Sequence, residues 1–111
     1  MVVRHISPFG SRSRTQVLIA LRLLTESHAR ELSRLLAIPL YSVQQGLRSL
    51  EKDGLVAARS VGRTRAFRIH PGHFARPELE AYLMKLSEPE SELRGRISEL
   101  RRRPRRTGKP L

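Results

Sequence analysis

The sequence predicts a mainly α domain carrying one small β-hairpin, and three observations make that prediction. Apolar residues recur at helical spacing in five stretches of the chain. Two of those stretches meet at Ile38-Pro39-Leu40, as in a helix-turn-helix. Directly after the second, residues 55–69 read as two strands around Gly62, with Arg59, Arg63, Arg65 and Arg68 crowded onto them.

Residues 1–10 read as an N-terminal arm, with Ser7-Pro8-Phe9-Gly10 leading into the first helix. Ser11 or Ser13 offers an acceptor oxygen to cap that helix. Val17, Leu18, Leu21 and Leu24 form its inner stripe, through about Thr25. Arg12 and Arg14 stand at its start, where cations oppose the helix dipole, so phosphate or water must compensate them. Ser27 is expected to cap a short second helix, with Glu31 near the capping-box position and Ala29, Leu32 and Leu36 facing inward. Ile38-Pro39 ends it, because the residue before proline is pushed out of the helical region. Pro39 suits the first turn of the next helix.

The third helix runs from about Leu40 to Lys52 and stops at Asp53-Gly54, where glycine supplies a left-handed residue. Val43, Leu47 and Leu50 lie within roughly 60° of one another on its wheel and form the buried stripe. Leu55–Val61 and Arg65–Ile69 are the expected strands, with Gly62-Arg63-Thr64 as the turn, Phe67 and Ile69 packing inward, and Arg68 on the other face. His70-Pro71-Gly72 breaks the second strand. Pro77 then opens a helix marked by Leu79, Leu83 and Leu86, with Tyr82 on the same side. After Pro89, Leu93, Ile97 and Leu100 mark a last amphipathic helix to about Arg102, and the Arg- and Pro-rich end is expected to be disordered. The organisation is thus an arm (1–10), one domain (11–88) and a basic C-terminal extension (89–111), partly helical and then disordered.

At 111 residues, one domain with a modest core is expected. The formal net charge is +12, from 22 basic and 10 acidic residues, and arginine dominates the cations. Eight of the basic and three of the acidic residues lie from Pro89 onward, so the body is basic without its tail. Arginine forks onto phosphate oxygens and guanine edges, so a partner made of phosphate is the first expectation, and the helix-turn-helix on a basic body points to double-stranded DNA. The chain has no cysteine, which excludes disulfides, thiolate zinc sites and thiol redox chemistry. No apolar run approaches the roughly 18–20 residues that cross a bilayer, and the N-terminus has no apolar stretch of signal-peptide length. A cytoplasmic, nucleoid-associated protein is expected, with no membrane partner.

The outer face of the third helix carries the sharpest candidate site. Tyr41, Gln45, Arg48 and Lys52 project there, flanked by Ser42 and Gln44. Arg48 can fork onto guanine, Gln44 or Gln45 can pair with adenine, and Tyr41 or Ser42 can reach phosphate or a base edge. Lys52 is better placed for backbone phosphate. A solvated polar face would read the same way, but the turn before it and the hairpin after it favour DNA. The hairpin, with Arg59, Arg63, Thr64 and Arg65, would touch phosphates or an adjacent minor groove. The competing reading is an edge ribbon charged against aggregation.

The segment Ala29–Leu36, followed by Ser42–Val56, resembles the winged helix-turn-helix of ArsR-like bacterial regulators, and Val61–Ile69 resembles their wing and closing strand. The likeness covers about residues 11–70. It implies a dimeric transcriptional regulator reading a palindromic operator, with dimer contacts from helices at about 12–25 and 77–87. Leu18, Leu21, Leu79, Tyr82, Leu83 and Leu86 are the residues this places at the dimer interface. The second stripe could equally cover the core, and the two roles are compatible. Metal-sensing members of the family use cysteine thiolates, and this chain has none. Pro39-Leu40 also stands where such proteins often have a polar cap.

An enzyme is not expected. Related domains occur beside nucleotidyltransferases, which need paired aspartates, and Asp53 is the sole Asp of this chain. No Gly-rich phosphate loop is present. Of His5, His28, His70 and His73, the last two could offer two nitrogens to a metal, yet Glu78 is the nearest carboxylate, so neither metal nor cofactor is expected. The expected function is a homodimeric, sequence-specific repressor. The alternatives are a winged-helix adaptor or antitoxin-like module with a protein partner, and a nonspecific nucleic-acid binder.

Overall fold

Five helices and one antiparallel hairpin make up residues 7–102, the part of the chain that the computed structural model describes. Their order is α1 (Arg12–Leu24), α2 (Ala29–Leu36), α3 (Leu40–Lys52), β1 (Val56–Val61), β2 (Thr64–Ile69), α4 (Arg76–Ser87) and α5 (Ser91–Arg102). The start of the expected arm (1–6) and the end of the basic extension (103–111) lie outside the described residues. No helix among the described residues is long and apolar enough to cross a membrane.

Helix α1 is the centre of the molecule. Val17, Leu18, Ile19, Ala20 and Leu21 are all buried, more than the one stripe its spacing predicts. A helix buried on most of its circumference needs cover on every side, and α2, α3, α4, α5 and β2 all pack on it. The rest of the core comes from Leu32 and Leu35 of α2, the predicted Val43, Leu47 and Leu50 of α3, Phe67 and Ile69 of β2, Leu79 and Leu83 of α4, and Leu93 and Ile97 of α5. Each such leucine contributes about 1.5–3 kcal/mol by leaving water. Ala29 and Leu36 are only partly buried, because Leu35 takes the inward position beside Leu32. Leu100, the last residue of the α5 stripe, is exposed.

The caps explain where the helices begin and end. Ser11 caps α1 by accepting the Arg14 amide at 3.1 Å. Ser27 does not cap α2, contrary to the sequence expectation. Its backbone pairs with Phe67 instead, giving and receiving hydrogen bonds of 3.0 and 2.7 Å, as a one-residue third strand. His28 takes the cap, its Nδ1 accepting the Glu31 amide at 3.3 Å, while the Ser27 hydroxyl donates to Glu31 Oε1 at 2.6 Å. Pro39 is likewise one step earlier than expected, at the cap of α3 with extended ψ rather than in its first turn.

Helix α3 closes in a complete Schellman motif. Gly54 adopts φ 80°, the Leu55 amide donates to Leu50 and the Gly54 amide to Glu51. The hairpin pairs Val56 with Ile69 at its base and Val61 with Thr64 at its tip. The connection is therefore two residues, Gly62-Arg63, and positive φ at Gly62 meets the need of such a turn. Helix α5 is held down by arginines that cap foreign helix ends. Arg96 donates to the Leu35 carbonyl at 2.6 Å and Arg101 to the Leu23 carbonyl, completing acceptors that α2 and α1 leave free.

Candidate nucleic-acid interface

The packing that buries Val43, Leu47 and Leu50 turns the opposite side of α3 to solvent. Tyr41, Gln44, Gln45, Arg48 and Lys52 are exposed there, and Ser42 is half-buried. Gln45 donates from Nε2 to the Tyr41 hydroxyl at 3.0 Å, so those two side chains are ordered as a unit. Gln44, Arg48 and Lys52 have no hydrogen-bond or ion-pair partner among the described residues.

Two open clefts flank this helix. The first, about 420 Å³, lies between α3, the start of α2 and the hairpin, and gathers Gln44 and Arg48 with Arg63, Thr64 and Arg65. Ala29, Leu47 and Phe67 line it too, as do His28 and Arg30. The second, about 440 Å³, lies on the other flank and includes Ser11, Arg14, Ser42, Gln45 and Arg48. Arg48 borders both. Lys52 and Arg59 line neither.

The structure divides the expected cations into two groups. Arg48, Lys52 and Arg63 are unpaired among the described residues. Arg59 and Arg65 are not. Arg59 forks onto Glu26, with Nε and Nη2 donating at 2.8 and 2.9 Å to the two carboxylate oxygens. The bond to Arg59 holds the Glu26 carboxyl below its usual value of 4.5, partial burial opposes that, and the charges of Arg59 and Arg68 add to the lowering. The same hydrogen bond raises Arg59. Arg65 donates to Glu51 at 2.8 Å and lies over the Phe67 ring, 5.2 Å from its centroid. Arg14 is paired too, with Asp53 at 2.8 Å. Glu26, Glu51 and Asp53 are therefore each neutralised by an arginine, and the unpaired cations dominate the local field.

Arg30 is a further cation at this cleft that sequence reading does not single out. It is exposed, unpaired among the described residues, and sits at the positive end of α2, lining the first cleft. The available signal was its position two residues after the cap of the helix that precedes the turn.

Each loop histidine accepts a backbone amide through Nδ1. His70 Nδ1 accepts the Gly72 amide at 2.9 Å and His73 Nδ1 accepts the Ala75 amide at 3.0 Å, which fixes the bend between β2 and α4. Among the described residues, no group of three or more metal-ligating side chains comes together.

The six residues expected at a dimer interface also divide. Leu18, Leu21, Leu79 and Leu83 are buried in the core of this chain. Five elements pack on α1, and Leu79 and Leu83 of α4 belong to the same core. Tyr82 is 45% exposed, and Leu86 is partly so. Tyr82 stands beside Phe9, with ring centroids 6.0 Å apart.

No known protein family and no curated protein matches this sequence. Solved structures do. The transcriptional regulator HlyU from Vibrio vulnificus CMCP6 is 25% identical with a TM-score of 0.59, over 72% of this chain and 77% of its own. The adhesin competence repressor AdcR from Streptococcus pyogenes is 13% identical with a TM-score of 0.59, over 80% of this chain and 66% of its own. A point mutant of ZitR from Lactococcus lactis is 13% identical with a TM-score of 0.60, over 89% of this chain and 66% of its own. What these proteins share with the chain is the fold, a winged helix-turn-helix, which this chain builds from five helices and a two-stranded wing among its described residues.

Proposed function

We propose that this chain is a sequence-specific DNA-binding transcriptional regulator of the ArsR-like type, acting as a homodimeric repressor. Arg48 carries the reading. Its guanidinium, unpaired among the described residues, stands on the outer face of α3, bordering both clefts, while the nearby carboxylates are neutralised by other arginines. With α3 in a major groove, Arg48 forks onto a guanine and Gln44 onto an adenine, with Tyr41, Ser42 and Gln45 beside them. Arg30 at the start of α2 and Arg63 at the wing tip then grip phosphates on either side, and Lys52 adds a further phosphate contact.

HlyU is named a transcriptional regulator and AdcR a repressor, which supports this reading. Repression needs no further part, since a bound dimer obstructs polymerase by occupancy.

Selecting bound sequences from random duplex DNA tests the proposal. Arg48→Ala should cost roughly 1–3 kcal/mol on the selected duplex and relax the preference at one base position. Arg63→Ala should weaken all duplexes alike and lower the salt slope by about one per subunit, about two for the homodimer. If neither substitution changes affinity, α3 and the wing are not the DNA surface.

A further inference from the structure

We propose that Glu51 is a positioning residue for DNA recognition: through Arg65 it sets the distance between the wing and α3, and so the width of the cleft that admits a phosphate backbone. The inference rests on the DNA-binding reading above.

The wing is a lever supported at its base. Near that base, Val56, Phe67 and Ile69 are buried in the core, and Phe67 also pairs with Ser27. Beyond Arg65 toward the tip, residues 60–64 make no side-chain hydrogen bond or ion pair among the described residues. The position of the Arg63 guanidinium relative to α3 therefore depends on the last attachment before the tip.

That attachment is Arg65. It is the second residue of β2, opposite Ser60, and its Nη2 donates to Glu51 Oε2 on α3 at 2.8 Å. The same guanidinium rests 5.2 Å from the ring centroid of Phe67, which is itself held in the core. A planar group fixed by a carboxylate at its edge and an aromatic ring at its face has little freedom left. On the outer face of the wing, Arg59 forks onto Glu26, so the ribbon is tied on both sides.

Both partners of the Glu51–Arg65 pair are substantially exposed, so the pair adds little to global stability. Its consequence is geometric. It also means that Arg65 reaches DNA with its charge already matched, and is a strut rather than a free phosphate ligand.

The test compares the full-length wild type with Glu51→Gln on the selected duplex and on random duplex, across a salt series. The expected result is a loss of about tenfold in the ratio of selected to random affinity, with the salt slope unchanged, because the phosphate contacts are the same in number. The double exchange Glu51→Arg with Arg65→Glu should recover part of that ratio. A direct readout is available because the chain has no cysteine of its own. Spin labels at Val61→Cys and Arg34→Cys should report a broader distance distribution once Glu51→Gln is added, without DNA.

An unchanged distance distribution overturns the inference. So does tighter binding of all duplexes with a slope steeper by about one per subunit, which would show Arg65 released to a phosphate. A wild type that prefers no duplex overturns the regulator reading and this inference together, whereas the other two outcomes leave the regulator reading intact.

Discussion

The guanidinium of Arg14, at the start of α1, lies 2.8 Å from the carboxylate of Asp53, which closes α3. The same side chain donates from Nε to the Phe9 carbonyl at 2.6 Å and from Nη1 to the Ser49 hydroxyl, and only 18% of it is exposed. One arginine thus joins the segment before α1, the first turn of α1 and the last turns of α3. Asp53→Ala leaves a largely covered cation without its counter-ion. It should lower stability by about 1–2 kcal/mol, read from the denaturant midpoint at constant slope. An unmoved midpoint would show that water replaces the carboxylate at no cost.

Acid should loosen the wing through Glu26. Its folded pKa lies below the usual 4.5, chiefly because Arg59 hydrogen-bonds the carboxylate. A depressed carboxylate contributes stability that is fully present above its unfolded pKa and is lost as pH falls through the lowered folded value. The wild type should therefore lose more stability than Glu26→Gln between about pH 5 and the folded pKa. Thermal unfolding across that range checks the difference, and parallel curves would remove Glu26 from the account.

Two residues without the freedom of glycine hold left-handed backbone. Thr25 ends α1 at φ 78° and ψ −50°, and Ala37 ends α2 at φ 56° and ψ 42°. The first is the costlier, because a β-branched side chain there crowds its own backbone in a rare γ-turn region. Thr25→Gly should stabilise by about 1–2 kcal/mol and Ala37→Gly by about 0.5–1 kcal/mol. Higher melting temperatures in that order would bear this out; a fall in both would mean that unfolded-chain entropy outweighs the relieved strain.

For the proposed homodimer, the informative position is Tyr82 and not Leu83. Leu83 is fully buried against α1, so Leu83→Glu places a charge in the core and should abolish folding. Tyr82 and Leu86 reach the surface without that penalty. Tyr82→Glu should give folded monomers in sedimentation, with the circular dichroism of the parent. A dimer of unchanged strength would move the seam away from α4.

Much of this molecule is legible along the chain because its rules are local. The apolar spacing of Val43, Leu47 and Leu50 dictates which side of α3 turns inward, so Tyr41, Gln44, Gln45 and Arg48 can be placed outside before any fold is known. Gly54 marks the end of α3 and Gly62 the wing turn, since each position requires positive φ. Pro77 in the first turn of α4 is of the same kind.

The partners of the arginines are not legible in this way. Arg14, Arg59 and Arg65 are as basic in sequence as Arg48 and Arg63, and nothing local distinguishes them. Folding brings Asp53, Glu26 and Glu51 to the first three and leaves the other two unpaired among the described residues. In the same way, the spacing of Leu18, Leu21, Leu79 and Leu83 shows that they face something apolar, but not whether that is the chain itself or a second copy. The packing of α4 and α5 around α1 decides it. Periodicity and turn chemistry act between near neighbours, so the sequence by itself determines the elements and their faces. Ion pairing and shared burial act between residues far apart in the chain, so only the tertiary structure decides which arginines are paired with carboxylates, which are left unpaired among the described residues, and which leucines belong to the core.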